Sequence, residues 1–567
     1  MKTSGNLSYT FRKYPAIRAL IVGFLIICGI LVFVIVNNKN RIIPEIDSLT
    51  PVVGAPGDVV VIKGKNFGNV RDMNYVEIAG SKLTASSYIS WSDTSITIVL
   101  PANVQNGLVF VGNKYEKSEP TLFANEVNIP VLVPAVNQVI KPIITSISSD
   151  RISVGRTLTI IGNNFGDSKG QSNVLFTIDY SNFENNRVIP KNNLIENMVA
   201  VSESENGYEY WSNTEIRVRI PDGACSGVVL VDTGKEKSDP KSIQIDSQVG
   251  KKSFLTKKTY LVQYSADIDS IKVKESANIT FRCPLPLITA TQPSVMSTEI
   301  TPSPILENYQ NDIIHQTSLN GNENDKKFVY TQTFVVVAYE LNSKINQDKV
   351  SSYKSTSDKI ISSYTKADEL VPSDNSEVLS LVNEIVKKEQ NPYIKAKLIY
   401  NYFCNNFEIL NRTRNNDSSP LDLLKNKKGD AYDFSVMYTA CLRACGIPSV
   451  TDSGILVDKD MKTSTHWWCE FYLQDYGWVP VDVALGKGLN YEEWENDIDS
   501  MTYYFGNLDS HHILFSKGWN QLKPFSQDNK IVQYPRSFAL QSIWEESSSS
   551  VQKYSSYWSV PVIKGIY

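Results

Sequence analysis

Histidine and cysteine are scarce in this sequence, and basic residues form no block outside the N-terminus. Of the 567 residues, four are histidine and seven are cysteine. Apart from Cys28, the cysteines lack the short repeated spacings of a zinc site or of a disulfide framework. The formal net charge is only −4, so the chain has no electrostatic footprint for nucleic acid. We therefore predict no metal, no cofactor and no nucleic-acid partner.

One segment is apolar enough to suggest a membrane span. Residues 19–36 (ALIVGFLIICGILVFVIV) carry no charge, and a run of about this length crosses the hydrocarbon core as a helix. The run passes into Asn37 and Asn38 without a cleavage site, which predicts an uncleaved signal anchor. More positive residues precede the span than follow it, so we expect residues 1–18 in the cytoplasm. All later residues should then lie outside the cytoplasm, in the periplasm or extracellular space.

Two internal repeats follow the predicted span. VVVIKGKNFGN from Val59 aligns with TLTIIGNNFGD from Thr157, and WSDTSITIVLP from Trp91 aligns with WSNTEIRVRIP from Trp211. The offset grows from 98 to 120 residues, so the second copy carries 22 extra residues within a polar stretch at about 167–201. Short β-branched runs alternate with Gly, Asn and Pro turns in both copies. This pattern predicts two antiparallel β-sandwiches, at 42–130 and 140–247.

The opening motif of the first copy, from Pro44 to Gly68, resembles the IPT/TIG family of immunoglobulin-like domains. The second copy keeps the Asn-Phe-Gly turn at 164–166 but has Ser149 in place of a proline. We expect the glycine of each turn to adopt positive φ and the phenylalanine to fill the sandwich core. Members of the family serve as binding modules, spacers or dimerisation units, so the resemblance predicts architecture and not ligand.

The C-terminal half changes from strands to helices. Residues 255–350 are strand-like and predict a third β-sandwich. Beyond Asp368 apolar residues recur at helical spacing, and Pro392 opens a helix, which predicts an α+β domain at 368–522. Residues 523–567 are predicted to be a C-terminal tail. The expected fold class is therefore multidomain: an N-terminal transmembrane helix, all-β immunoglobulin-like sandwiches and an α+β core.

Two segments carry a second resemblance. Residues 429–450 read GDAYDFSVMYTACLRACGIPSV, and residues 466–482 read HWWCEFYLQDYGWVPVD. Together they resemble the transglutaminase-like family of papain-type thiol enzymes, with its core G-x-C-x-[DE]-[FY], R-x-x-G-I-P, H-x-W-x-E and G-W-x-x-x-D. In that family a cysteine is the nucleophile, a histidine accepts its proton and an aspartate orients the imidazole. The resemblance assigns His466 and Asp482 to the last two positions, whereas Ala431 stands at the cysteine position.

The alanine removes the chemistry that the resemblance implies. A methyl group has no lone pair to activate, so no acyl-enzyme can form at Ala431. Cys441 and Cys445 lie roughly 15 and 21 Å along the helix, and strand alternation turns Cys469 away from the histidine. Ser435, one turn further along the helix, is the only geometrically arguable substitute.

Two further expectations concern the histidines. His466 and Asp482 could persist only as a hydrogen-bonded structural pair. His511 and His512 are neighbours on a predicted strand and point to opposite faces, so we do not expect them to chelate a metal together.

These observations predict a pseudoenzyme: a single-pass, extracytoplasmic protein without activity that binds a protein, a peptide or a cell-envelope polymer. A bacterial envelope is implied by resemblance to proteins that combine these domains. Two alternatives remain open, namely an active amide hydrolase or acyltransferase of altered mechanism and a purely structural envelope protein. An open groove beside Ala431 would favour binding, and a groove filled by Trp467, Trp468 or a loop would favour a scaffold.

Overall fold

The computed structural model describes residues 28–29, 43–114, 116–126, 140–180, 197–203, 205–320, 326–353, 358–491, 499–519, 522–524 and 529–567. Except for Cys28 and Gly29, the predicted signal anchor at 19–36 lies outside these residues. None of the helices within the described ranges has the length and apolar character that a membrane span needs. The chain forms two compact units. One contains the first repeat, and the other contains most of the second repeat and all later residues.

The first repeat is a sandwich of short strands. Its strands are β1 (Glu45–Thr50), β2 (Val53–Gly54), β3 (Val59–Lys65), β4 (Tyr75–Ile78), β5 (Ser81–Lys82), β6 (Tyr88–Trp91), β7 (Ser95–Val99), β8 (Gly107–Gly112) and β9 (Thr121–Asn125). One sheet has the order β1-β3-β7-β6 and the other β2-β9-β8-β4-β5. Along β3 the residues Val60 and Ile62 are buried whereas Lys63 and Lys65 are exposed, as expected for strand alternation.

The second repeat has the same arrangement of a four-stranded and a five-stranded sheet. Its strands are β10 (Ile143–Ile147), β11 (Arg151–Ile152), β12 (Thr157–Asn163), β13 (Asn173–Ile178), β14 (Met198–Ala200), β15 (Tyr208–Trp211), β16 (Glu215–Arg219), β17 (Ala224–Asp232) and β18 (Lys241–Ile245). The extra residues of this copy fall between β13 and β14, and residues 181–196 of that connection lie outside the described ranges.

The Asn-Phe-Gly turn has the same geometry in both repeats. In Asn66–Gly68 the first and last residues have φ of 63° and 88°, and in Asn164–Gly166 they have φ of 64° and 89°. The phenylalanine of each turn is buried. The indole N–H groups of Trp91 and Trp211 donate to the phenylalanine and glycine carbonyl oxygens of their own turns. The predicted positive φ and buried phenylalanine are therefore present in both copies.

A third sandwich starts with a strand of 24 residues, β19 (Gly250–Val273). It continues with β20 (Ala277–Pro284), β21 (Ser294–Thr301), β22 (Leu306–Tyr309), β23 (Asp312–Leu319) and β24 (Phe328–Ile345). Strands β19 and β24 pair from Gly250 opposite Ile345 to Ile268 opposite Phe328. The predicted start of this domain at residue 255 falls inside β19, so the sandwich begins a few residues earlier.

The α+β domain follows. Its helices are α1 (Lys359–Tyr364), α2 (Ser376–Val386), α3 (Pro392–Asn406), α4 (Asp422–Asn426), α5 (Ala431–Ala444), α6 (Val483–Lys487) and α7 (Ser500–Tyr503). Its strands are β25 (Glu408–Ile409), β26 (Lys428–Gly429), β27 (Ser449–Val457), β28 (Thr463–Leu473), β29 (Gly477–Val481), β30 (Asn507–Leu508) and β31 (His512–Lys517). The central antiparallel sheet has the order β29-β28-β27-β31.

The residues predicted as a C-terminal tail belong to the third sandwich. They form β32 (Lys530–Gln533), β33 (Trp544–Ser547), β34 (Val551–Trp558) and β35 (Val562–Ile566). Strand β33 pairs with β20, and both β34 and β35 pair with β19. The sequence conceals this role because β34 (VQKYSSYW) carries few apolar residues and its pairing partner lies almost 300 positions earlier.

A buried ammonium group joins three parts of the second unit. Lys252 of β19 has a side chain that is only 5% exposed. Its Nζ donates to the two carboxylate oxygens of Asp222 in the second repeat, at 2.5 and 2.6 Å, and to the carbonyl oxygen of Trp478 in the α+β domain. A second tie is the bidentate contact of Arg156 with Asp475, at 2.6 and 3.1 Å. The second repeat is therefore fixed to the domains that follow it.

We expect Lys252→Met to destabilise the second unit strongly, because it leaves Asp222 buried without its cation. Burial raises the pKa of Asp222, and this effect outweighs the charge and the hydrogen bond of Lys252, which both lower that pKa. Removing one partner of a buried ion pair costs about 3–5 kcal/mol. Urea unfolding of the full-length protein would measure the loss.

Lys251→Met is the matched control, because Lys251 is 60% exposed and its Nζ lies 3.8 Å from Asp179. It should cost under about 1 kcal/mol. Adding Asp222→Asn to Lys252→Met should recover part of the lost stability. Equal losses of unfolding free energy in Lys252→Met and Lys251→Met would contradict the structural role of Lys252.

Candidate active site

Helix α5 begins at the position that the resemblance gives to the nucleophile. Asp430 caps the helix: its carboxylate accepts a hydrogen bond from the Asp433 backbone N–H at 3.0 Å, and the Asp433 carboxylate accepts one from the Asp430 N–H at 3.1 Å. Ala431 is the first helical residue and is 6% exposed. Its methyl group belongs to the main hydrophobic cluster of the α+β domain.

A buried arginine covers the start of this helix. Arg536, from the segment between β32 and β33, donates to both carboxylate oxygens of Asp430 at 2.7 and 2.8 Å and to Asp433 at 2.6 Å. Its guanidinium lies 4.2 Å from the centroid of the Tyr432 ring. Arg414 donates to the other oxygen of Asp433 at 2.8 Å. The protein's own charged groups thus occupy the helix N-terminus, which is where an acyl intermediate would find stabilising donors.

His466 and Asp482 meet as the sequence predicts. His466 lies on β28, Asp482 follows β29, and the distance from Nε2 to Oδ2 is 2.5 Å. Both side chains are buried. The second carboxylate oxygen of Asp482 accepts a hydrogen bond from the Leu485 N–H at 2.8 Å, at the start of α6. Within the described residues, the imidazole of His466 hydrogen-bonds this carboxylate and no hydroxyl or thiol group.

A second histidine extends the pair into a chain of five groups. His512 Nε2 lies 3.0 Å from the same Oδ2 of Asp482, and His512 Nδ1 lies 2.8 Å from Asp509 Oδ1. The Tyr504 hydroxyl donates to the other oxygen of Asp509 at 2.8 Å. Asp509 and Tyr504 are not among the predicted site residues, because the resemblance assigns roles only to a cysteine, a histidine and an aspartate position.

The electrostatics of this chain follow from its mixture of carboxylates and imidazoles. Burial by itself would raise the pKa of Asp482, but the charges of His466 and His512 and their hydrogen bonds outweigh burial and hold that pKa below its usual range. Burial lowers the pKa of His512, but Asp509 and Asp482 outweigh it and raise the pKa to about 9.

The possible substitutes for the nucleophile are directed elsewhere. The Ser435 hydroxyl donates to the carbonyl oxygen of Trp468 at 2.5 Å and lies 3.2 Å from Cys469 Sγ. Cys469 Sγ in turn lies 3.3 Å from the Ser435 carbonyl oxygen. Both residues therefore face each other across the contact of α5 with β28. Neither is hydrogen-bonded to His466.

The two tryptophans named as possible fillers are buried. Trp467 is 1% exposed and Trp468 is 2% exposed. The ring of Trp467 meets the ring of Tyr432 edge to face, at 5.5 Å between centroids. Leu540, which follows Arg536 in the C-terminal segment, is fully buried in the same cluster as Ala431. The interior beside the helix start is therefore filled by side chains.

The neighbouring histidines behave as strand alternation predicts. His512 faces Asp482, whereas His511 Nδ1 lies 3.0 Å from the Tyr260 hydroxyl. The two imidazoles therefore do not point to a common site. The sequence pattern suggested His511 and His512 as the only histidine pair, and it gave no sign that His512 meets His466 in the fold.

Two family models match separate parts of the chain. Residues 379–483 match the model of the transglutaminase-like superfamily, and residues 44–124 and 142–245 match the model of the IPT/TIG domain. The chain therefore contains two TIG domains followed by a transglutaminase-like core domain. Both family resemblances seen in the sequence are confirmed at the level of the domains.

Similar proteins cover parts of the chain. Over 185 residues it is 27% identical to an uncharacterized protein of Haemophilus influenzae, an alignment that covers 28% of this chain and 50% of that protein. The chain thus spans about half the length of this curated relative. Over 58 residues it is 38% identical to a cyclomaltodextrin glucanotransferase of Bacillus licheniformis, which covers 10% of this chain and 8% of that enzyme.

Among solved structures, a provisionally assigned cysteine protease from Cytophaga hutchinsonii is similar at 14% identity and a TM-score of 0.32. That alignment covers 55% of this chain and 91% of the other. The periplasmic domain of TgpA from Pseudomonas aeruginosa is similar at 10% identity and a TM-score of 0.24, over 40% of this chain and 86% of the other. Similarity at this level supports no inference about activity.

We expect the cysteines beyond residue 43 to resist alkylation in the folded protein. Burial raises the pKa of the thiols of Cys225 and Cys445 to about 11 and of Cys404 to about 12. Burial also raises the pKa of Cys283, Cys441 and Cys469. At pH 8 a thiol of pKa about 11 is only about 0.1% ionised, and the thiolate is the reactive form.

Iodoacetamide labelling at pH 8, mapped by mass spectrometry with and without urea, would measure this. A cysteine placed at an exposed site by Ser86→Cys provides the positive control. Fast labelling of Cys469 in the folded protein would contradict the expectation and would reopen the question of a substitute nucleophile.

Proposed function

We propose that this protein is a non-catalytic member of the transglutaminase-like class that acts as a membrane-anchored scaffold outside the cytoplasm. Residues 19–36 serve as the anchor, and the scaffold binds a protein, a peptide or a cell-envelope polymer. One observation carries the proposal: the imidazole of His466 hydrogen-bonds Asp482 and no nucleophile. The resemblance gives the position of the nucleophilic thiol to Ala431, whose side chain is a methyl group.

The chemistry of acyl transfer explains why this observation matters. In a thiol enzyme the histidine takes a proton from the nucleophile, and the thiolate then attacks the acyl carbon. Without that partner, His466 has no proton to remove from a nucleophile. Asp482 still orients the imidazole, but orientation alone does not form an acyl-enzyme. The retained pair supports a structural role for both residues.

The filled interior favours a scaffold over a binding cleft at the vacated position. Trp467 and Leu540 belong to the same hydrophobic cluster as Ala431, and both are buried. Arg536 also neutralises the carboxylates at the helix start. A partner would therefore bind to another surface of the chain.

An enzyme of altered mechanism is less well supported. Ser435 would have to serve as nucleophile, but its hydroxyl donates to the Trp468 carbonyl oxygen. It is 2% exposed and has no contact with His466. Releasing it would require α5 and β28 to separate within the core.

Turnover by the full-length protein tests the proposal directly. We expect neither amide hydrolysis of a glutamine-containing peptide nor transfer of its acyl group to a fluorescent primary amine. The matched controls are Ser435→Ala and His466→Ala, which should give the same background signal as the native chain. Any turnover that is lost in either variant would overturn the non-catalytic assignment.

A restored thiol tests whether the vacated position is closed. We expect Ala431→Cys to be alkylated by iodoacetamide at pH 6 more slowly than Ser86→Cys, because residue 431 is 6% exposed and lies in the hydrophobic cluster. Its labelling rate should not change when His466→Ala is added. Fast, His466-dependent labelling would instead indicate an accessible and activated site, since a thiol paired with imidazole at a helix N-terminus has a depressed pKa.

A further inference from the structure

Two of the chain's four histidines direct a ring nitrogen at one carboxylate oxygen. His466 Nε2, His512 Nε2 and a carboxylate oxygen of Asp482 all lie within 4.8 Å of one another. The three side chains are fully or almost fully buried. They come from β28, from β31 and from the residue after β29, so the fold brings them together from distant points of the sequence.

Each of two donors is oriented by a further hydrogen bond. Asp509 Oδ1 accepts the Nδ1–H of His512 at 2.8 Å, and the Tyr504 hydroxyl holds the other oxygen of Asp509. This arrangement turns the opposite nitrogen of the imidazole towards Asp482. A carboxylate behind the far nitrogen is a common support for a metal-binding histidine. The Leu485 N–H fixes the second oxygen of Asp482 in the same way.

The two carboxylates of the cluster favour a bound cation. Asp482 and Asp509 bring two negative charges to a site that is largely closed to solvent. Within the described ranges, no lysine or arginine forms an ion pair with either carboxylate. A divalent cation at this point would offset both negative charges.

We propose that His466, Asp482 and His512 bind one divalent transition-metal ion, with Zn²⁺ as the best match to the donors. Two imidazole nitrogens and one carboxylate oxygen suit zinc, whereas Ca²⁺ and Mg²⁺ prefer oxygen ligands alone. The sequence had predicted no metal, because it paired His512 with His511 instead of His466. The site goes beyond the proposed scaffold, since an ion could bind there whether or not the chain catalyses a reaction.

The two contacts to Asp482 need to lengthen only slightly for an ion to bind. Tetrahedral zinc with bonds of about 2.0–2.1 Å separates its ligand atoms by roughly 3.3 Å. The present contacts of 2.5 and 3.0 Å to Asp482 would therefore open by less than about 1 Å. The ion displaces the protons that lie between the imidazoles and the carboxylate, and these protons leave to solvent. The metal then ties β28, β31 and the start of α6 at one point.

Metal content of the full-length protein is the first test. We expect about one equivalent of zinc by inductively coupled plasma mass spectrometry, after purification without a histidine tag. A chelator should remove the ion and lower Tm, and added Zn²⁺ should restore both. Less than a tenth of an equivalent, together with no change of Tm at a hundredfold excess of Zn²⁺, would overturn the site in favour of a purely hydrogen-bonded cluster.

The other two histidines provide matched controls. His466→Gln and His512→Gln should each lose the ion, whereas His315→Gln and His511→Gln should keep it. His315 is also buried but lies in the third sandwich, where its Nε2 contacts Gln332 at 2.8 Å. Retention of the metal by both site variants would overturn the assignment.

Cobalt gives a second readout that does not depend on the variants folding. Co²⁺ added to the chelated native protein should produce the visible absorption bands of a tetrahedral nitrogen and oxygen site, and Zn²⁺ should bleach them. Octahedral, aqueous-type bands alone would contradict the proposed ligands.

Discussion

The packing of helix α5 against strand β28 is the contact on which the C-terminal domain depends. Every residue of α5 from Ala431 to Arg443 is buried, which is unusual for a helix of this length and means that it is enclosed on all sides. Tyr432 meets Trp467, and Ser435 meets Cys469, along the same strand. Because Ala431 and His466 lie on these two elements, the vacated site cannot change its shape without disturbing the core.

The buried pair of His466 and Asp482 also has structural roles in this domain. Asp482 caps α6 and accepts hydrogen bonds from two histidines, so it has a structural task that does not depend on catalysis. Removing one of these partners would leave a buried charge or donor unsatisfied, which is costly in a closed interior. The fold thus requires Asp482 whether or not the chain catalyses a reaction.

Features that depend on residues close together in the sequence could be predicted, whereas features that depend on distant pairs could not. The repeats could be predicted because the Asn-Phe-Gly turn needs glycine and asparagine at fixed positions, and the α+β core because the resemblance spans contiguous motifs. The boundaries of the third sandwich were less predictable, since β34 pairs with β19 across nearly the whole C-terminal half. The same reason hid Arg536, whose partners Asp430 and Asp433 adjoin it only in the folded chain.

The pairing of β34 and β35 with β19 also governs the order in which the protein can assemble. Strand β19 is synthesised before β34 and β35, the strands that pair with one of its edges. Until then it presents unpaired backbone N–H and C=O groups, which attract other strands. Contacts between such distant residues also close slowly, because a long loop must be ordered first. This edge of the third sandwich therefore stays open to other strands until residues 551–566 have been synthesised.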